Sequence, residues 1–129
     1  MAEEINYNHL IRPFGPPIGL YDILGELCAQ INSLVDSDSS ELTPNGENLA
    51  GQIEGEFRIS SAACKRMGLG DYLLKTVSKY IEQSIEKKIT SFTLIDVWVN
   101  RQFANEYNPT HWHSGHISGA GWSVSYTHL

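Results

Sequence analysis

Asn108-Pro109-Thr110-His111-Trp112-His113-Ser114-Gly115-His116-Ile117-Ser118-Gly119-Ala120-Gly121-Trp122 holds three of the chain's five histidines within six residues, beside a Gly-rich run. Pro109, Gly115, Gly119 and Gly121 argue against a helix, because proline lacks an amide donor and glycine loses the most backbone freedom on ordering. The stretch therefore reads as a strand. Successive side chains of a strand alternate faces, so His111 and His113 project the same way with roughly 6.5–7 Å between their backbones. Two imidazoles at that spacing can converge on one metal ion, whereas residues two apart on a helix do not face each other. His116, three beyond His113, falls on the opposite face unless the Ser114-Gly115 step turns the chain.

The preceding stretch supports a site beside that strand. Phe92 to Phe103 reads as the strongest strand, with Thr93, Ile95, Val97 and Val99 on one face and Leu94, Asp96, Trp98, Asn100 and Gln102 on the other. The first face is core. The second can line a pocket in which Asn100 and Gln102 offer hydrogen bonds and Trp98 forms a wall; ordinary surface polarity is the alternative. Ala104 to Pro109 links the two strands.

Together, D-V-W-V-N-R-Q-F from Asp96 to Phe103 and N-P-T-H-W-H-S-G-H-I-S-G-A-G-W from Asn108 to Trp122 resemble the iron-binding segment of the 2-oxoglutarate- and Fe(II)-dependent oxygenases. The subgroup in question is common in phages and marine bacteria, and its pattern is W-x-N, a short loop, H-x-H, then an S-G-x-x-(aromatic) strand. Leu49 to Phe57 also resembles that subgroup. The likeness spans Asn48 to Trp122, and its specific motifs lie in the last third of that stretch.

The resemblance implies an α+β fold in which N-terminal helices pack on the opening half of a double-stranded β-helix, or jelly roll, whose second half is missing. It implies a non-haem Fe(II) centre with 2-oxoglutarate as cosubstrate and a hydroxylated small-molecule or peptide product. His111 becomes the first metal ligand. His113 stands where most of the superfamily has Asp or Glu, which leaves three outcomes open: a three-His iron site, a His113 that orients or replaces a carboxylate ligand, or a degenerate fold without activity. Asn100 and Trp98 are the candidates for contact with the bound cosubstrate, and His116 for a hydrogen-bonding role around the ligands. Family members carry a second metal histidine and a cosubstrate-binding arginine several strands later, so this chain by itself is expected to be inactive. An open zinc site of a hydrolase or lyase, which H-x-H plus a third histidine also builds, is a rival reading. A phage structural protein that retains the jelly roll without chemistry is another.

The end of the chain is read separately. Val124-Ser125-Tyr126-Thr127-His128-Leu129 matches the translation of a transposon-end sequencing adapter, and Ser123 is compatible with the overlapping codon. Residues 1–122 are therefore expected to be the N-terminal part of one oxygenase-like domain and 123–129 an adapter-derived tail, so His128 is not counted as a ligand.

Composition bounds the remaining possibilities. The 129 residues suffice for one core, and 41% hydrophobic content is ordinary for a globular chain. Nine basic against fifteen acidic side chains give a net charge of −6, and no basic cluster exceeds Lys87-Lys88. Nucleic-acid and anionic-membrane partners are thus not expected, since both require concentrated positive charge. Met1-Ala2-Glu3-Glu4 lacks the basic, then apolar, order of a signal peptide, so a cytoplasmic location with Cys28 and Cys64 as free thiols is expected. There is no P-loop, nucleophile elbow or C-x-x-C.

Elsewhere the pattern predicts an edge strand from Ile5 to Phe14, ended by Gly15-Pro16-Pro17. Leu20, Ile23, Leu24, Leu27, Cys28, Ile31, Leu34 and Val35 predict a helix from Leu20 to Val35. Asp36 to Gly51 reads as a loop. Ile53 to Ile59 alternates as a strand with one wet face carrying Glu54, Glu56 and Arg58. Ser60 to Gly70 reads as a second loop. A further helix starts with Asp71 as N-cap, ends near Lys87-Lys88 and buries Leu73, Val77, Tyr80, Ile81 and Ile85.

Overall fold

The computed structural model describes residues 8–37, 39–45, 53 and 55–123. The start of the predicted first strand, most of the Leu49–Phe57 segment and Val124 to Leu129 lie outside the described residues. Within them the chain is α+β, with three helices and two small antiparallel sheets.

The first sheet is a hairpin. Strand β1 (Asn8–Ile11) pairs antiparallel with β2 (Ile18–Tyr21), in register Leu10 with Gly19 and Ile11 with Ile18. The turn between them contains the predicted Gly15-Pro16-Pro17 break, with Gly15 at φ 110°. The second strand corrects the helix expected from Leu20. Apolar spacing favoured a helix there, but tertiary bonds hold the segment extended: the Tyr80 hydroxyl donates to the Pro17 carbonyl at 2.8 Å, and the Tyr21 hydroxyl donates to Gln83 at 3.2 Å. Helix α1 begins instead at Gly25 and runs to Asp36, with Leu27 and Leu34 buried on its inner side.

The second sheet has the order β3-β4-β5, formed by Leu42–Pro44, Gly55–Ile59 and Trp98–Arg101. Strand β3 lies inside the stretch predicted as loop, because a three-residue strand is too short to show alternation. Only Trp98 to Arg101 of the long predicted strand is strand, since β4 offers a partner just five residues long. Register sets the two faces. Leu42, Ile59, Val97 and Val99 pack toward the helices. Thr43, Arg58 and Trp98 form one row on the opposite face, and Asn45, Glu56 and Asn100 the next. The predicted alternation of Val97 and Val99 against Trp98 and Asn100 is therefore present.

Ser60 to Gly70 is helical rather than a loop. Helix α2 (Ser61–Met67) is capped by the Ser60 hydroxyl, which accepts from the Ala63 amide at 3.1 Å. Ala63, Cys64 and Met67 put its inner side into the core. Seven residues give barely two turns, too few for a periodic signal. Gly68, at φ 74°, takes the left-handed conformation that a residue with a Cβ adopts only at a cost, and so ends α2 and starts α3 (Leu69–Ile85) in one step. Asp71 consequently sits inside the first turn, near the positive helix end, and is not the cap. Lys87-Lys88 lies beyond the last turn, which closes at Glu86.

The core joins the three helices to one sheet face: Leu27, Leu34, Ile59, Ala63, Cys64, Met67 and Leu69 are buried together. Five strands in two separate sheets form no barrel or jelly roll among the described residues. No described helix is long and apolar enough to cross a membrane. Both cysteines are free.

Candidate metal centre

A tight turn after β5 reverses the chain and lays the histidine segment beside the polar sheet face. The Phe103 amide donates to the Glu106 carboxylate at 2.8 Å, the Gln102 side-chain amide donates to the Glu106 carbonyl at 2.6 Å, and Asn105 adopts φ 67°. Asparagine is among the residues that tolerate this conformation best. Gln102, predicted to serve a pocket, is thus used to shape the turn.

The segment from Asn108 to Trp122 is irregular rather than a paired strand. Its backbone still brings the two predicted ligands together. The Nε2 atoms of His111 and His113 lie 3.1 Å apart, with ring centroids separated by 4.7 Å and planes crossing at 82°. His111 Nδ1 lies 2.7 Å from the Pro109 carbonyl oxygen. A carbonyl only accepts, so Nδ1–H donates to it, and in the neutral imidazole the lone pair is then on Nε2. Carbonyl orientation of the far ring nitrogen is the arrangement a metal-binding imidazole uses. The His113 ring rests on Trp98, centroid to centroid 5.1 Å with a tilt of 36°.

Two nitrogens 3.1 Å apart, each at the roughly 2.1 Å usual for an imidazole–metal bond, subtend about 95° at an ion. That angle suits adjacent ligands of an octahedral or distorted tetrahedral ion. With a neutral His111 accepting at Nε2, His113 Nε2–H is the donor of this contact. Among the described residues no third His, Cys, Asp or Glu joins the pair in a ligand set.

The other site candidates occupy separate positions. His116 is exposed and follows Gly115, whose φ of 102° makes the turn that strand alternation alone does not provide. Asn100 shares the sheet face with Trp98. Its cross-strand neighbour is Glu56, the residue that the sequence reading misplaced on a wet face: Glu56 is 1% exposed. One of its carboxylate oxygens accepts from the Asn45 amide at 2.6 Å, and the other has no hydrogen-bond partner among the described residues. A buried oxygen without a hydrogen bond costs on the order of 1–3 kcal/mol. Alternation gave the correct face but could not show that the face is covered at that end.

A cleft of about 560 Å³ opens between α2 and the chain entering β5, lined by Arg58, Lys65, Cys64, Asp71 and Asp96. Arg58 pairs with Asp96 across it at 2.9 Å. Burial pushes the Cys64 thiol above its ordinary pKa, so the thiol stays protonated and is a poor nucleophile. No protein-family model, curated protein or solved structure matches the chain.

Proposed function

We propose that the chain belongs to a non-haem Fe(II)- and 2-oxoglutarate-dependent dioxygenase, with His111 and His113 as two adjacent metal ligands. The observation that carries this reading is the convergence of the two Nε2 atoms at 3.1 Å while His111 Nδ1 is tied to the Pro109 carbonyl. Imidazole suits Fe(II), and ligands gathered on one side leave positions for a bidentate 2-oxo acid and O₂. The third protein ligand, and the cationic group that holds the far carboxylate of 2-oxoglutarate, come from outside the described residues in this reading. The double-stranded β-helix is likewise part of the proposal, with the β3-β4-β5 sheet as its contribution from this chain.

The bound iron would couple decarboxylation of 2-oxoglutarate to hydroxylation. One atom of O₂ would end in the carboxylate of succinate and the other in a hydroxyl group that replaces a substrate C–H hydrogen, with CO₂ released. The residues of this chain would hold and orient the metal: the Pro109 carbonyl ties His111 Nδ1, and the turn at Gln102 to Glu106 precedes the segment that sets the His113 ring on Trp98.

The complete reading frame, supplied with Fe(II), ascorbate and O₂, is expected to convert 2-oxoglutarate to succinate without its prime substrate, and His111→Ala is expected to abolish this. Stoichiometric Zn²⁺ in the purified protein, with no succinate formed after iron loading, would replace the reading with a zinc hydrolase or lyase, since the same nitrogen separation accepts Zn²⁺.

A further inference from the structure

We infer that Trp98 is a positioning residue for the metal: its indole face holds the His113 ring edge-on to His111, so that the two Nε2 atoms meet. This role rests on the proposed metal reading and replaces the sequence-based expectation that Trp98 touches the cosubstrate.

The two histidines are unequally restrained. His111 has a hydrogen bond to the Pro109 carbonyl that fixes its tautomer and rotation. Apart from the contact with His111 itself, the ring contact of His113 is with Trp98, at 5.1 Å and 36°. Both histidines are exposed on an irregular segment, so the backbone alone leaves His113 free to turn away. Trp98, in contrast, is anchored. It lies on β5, paired in register with Arg58 of β4, and is only 37% exposed. A rigid strand thus supplies for His113 what a carbonyl supplies for His111. A tilted aromatic contact of this kind biases an exposed side chain among its rotamers.

The geometry also gives the site an optical signature. An ion held by His113 would lie beside the Trp98 indole, so a paramagnetic ion such as Co²⁺ should quench its emission. Trp112 and Trp122, which are 85% and 76% exposed, can be replaced by phenylalanine to isolate that signal.

The test is a Co²⁺ titration of the 129-residue chain and its variants, read by Trp98 emission in a Trp112→Phe/Trp122→Phe background and by competition with a chromophoric chelator. Trp98→Leu fills the space without an aromatic face and is expected to weaken Co²⁺ binding about tenfold, the usual cost of losing a ligand-orienting partner. Trp98→Phe should restore affinity, and circular dichroism should match wild type for both. Nitrogen-15 NMR of His113 adds a readout that general stability does not move: a defined tautomer in wild type and Trp98→Phe, and averaging in Trp98→Leu. Wild-type Co²⁺ affinity in Trp98→Leu, with binding lost in His111→Ala, would overturn the positioning role alone. Equal binding by wild type and His111→Ala would overturn the metal reading and the role of Trp98 with it.

Discussion

Asn32 and Ser123, 91 positions apart, exchange two hydrogen bonds: the Asn32 amide donates to the Ser123 carbonyl and the Ser123 hydroxyl donates to the Asn32 amide oxygen, each at 2.8 Å. The pair ties the end of the histidine segment to α1. Asn32→Ala removes both bonds at a partly buried site and is expected to cost about 1–2 kcal/mol. Urea unfolding followed by circular dichroism checks the value. Ser123→Ala should cost less, because the carbonyl contact survives it.

Gly115 makes the turn between His113 and His116. At φ 102° an added Cβ is strained, and it would stand 3.3 Å from the Ile95 side chain. Gly115→Ala is therefore expected to re-route the segment at a local cost of about 1 kcal/mol. Loss of the nuclear Overhauser contact between the His111 and His113 rings would report it. An unchanged contact would show that the turn does not set the pair.

The acid limb of stability should carry the Glu41–Arg66 pair. The Arg66 guanidinium donates to the Glu41 carboxylate at 2.6 Å and holds its pKa below the ordinary carboxylate value. A folded-state pKa below the unfolded one stabilises above the unfolded value, and that contribution is lost as pH falls through the folded value. Wild type should thus lose more stability than Glu41→Gln between neutral pH and about pH 3. The pair is exposed, so the difference should shrink in high salt. Denaturation series at both pH values, with and without salt, measure it.

How much was legible follows the length over which each signal repeats. The inner side of α1 and the alternation around Trp98 were readable because apolar positions recur there through several turns or residues. Strand β3 and helix α2 were not, being three and seven residues long. The β1-β2 hairpin misled for a different reason: Leu20 and Ile23 continue a helical spacing, and only the bonds of Tyr21 and Tyr80 to distant residues keep the segment extended. The approach of His111 and His113 was expected from strand spacing, and it occurs on an irregular segment without strand pairing. Glu56 escaped because its burial depends on neighbours that no local pattern encodes.

The most direct measurement is an anaerobic Fe(II) titration of wild type, His111→Ala, His113→Ala and His116→Ala, read by calorimetry. Two ligands without a third should bind weakly but measurably in this chain, with His111→Ala and His113→Ala each abolishing the signal and His116→Ala leaving it near wild type. Indistinguishable binding by wild type and His111→Ala, or loss in His116→Ala with His113→Ala unaffected, would contradict the assignment of His111 and His113 as the metal pair.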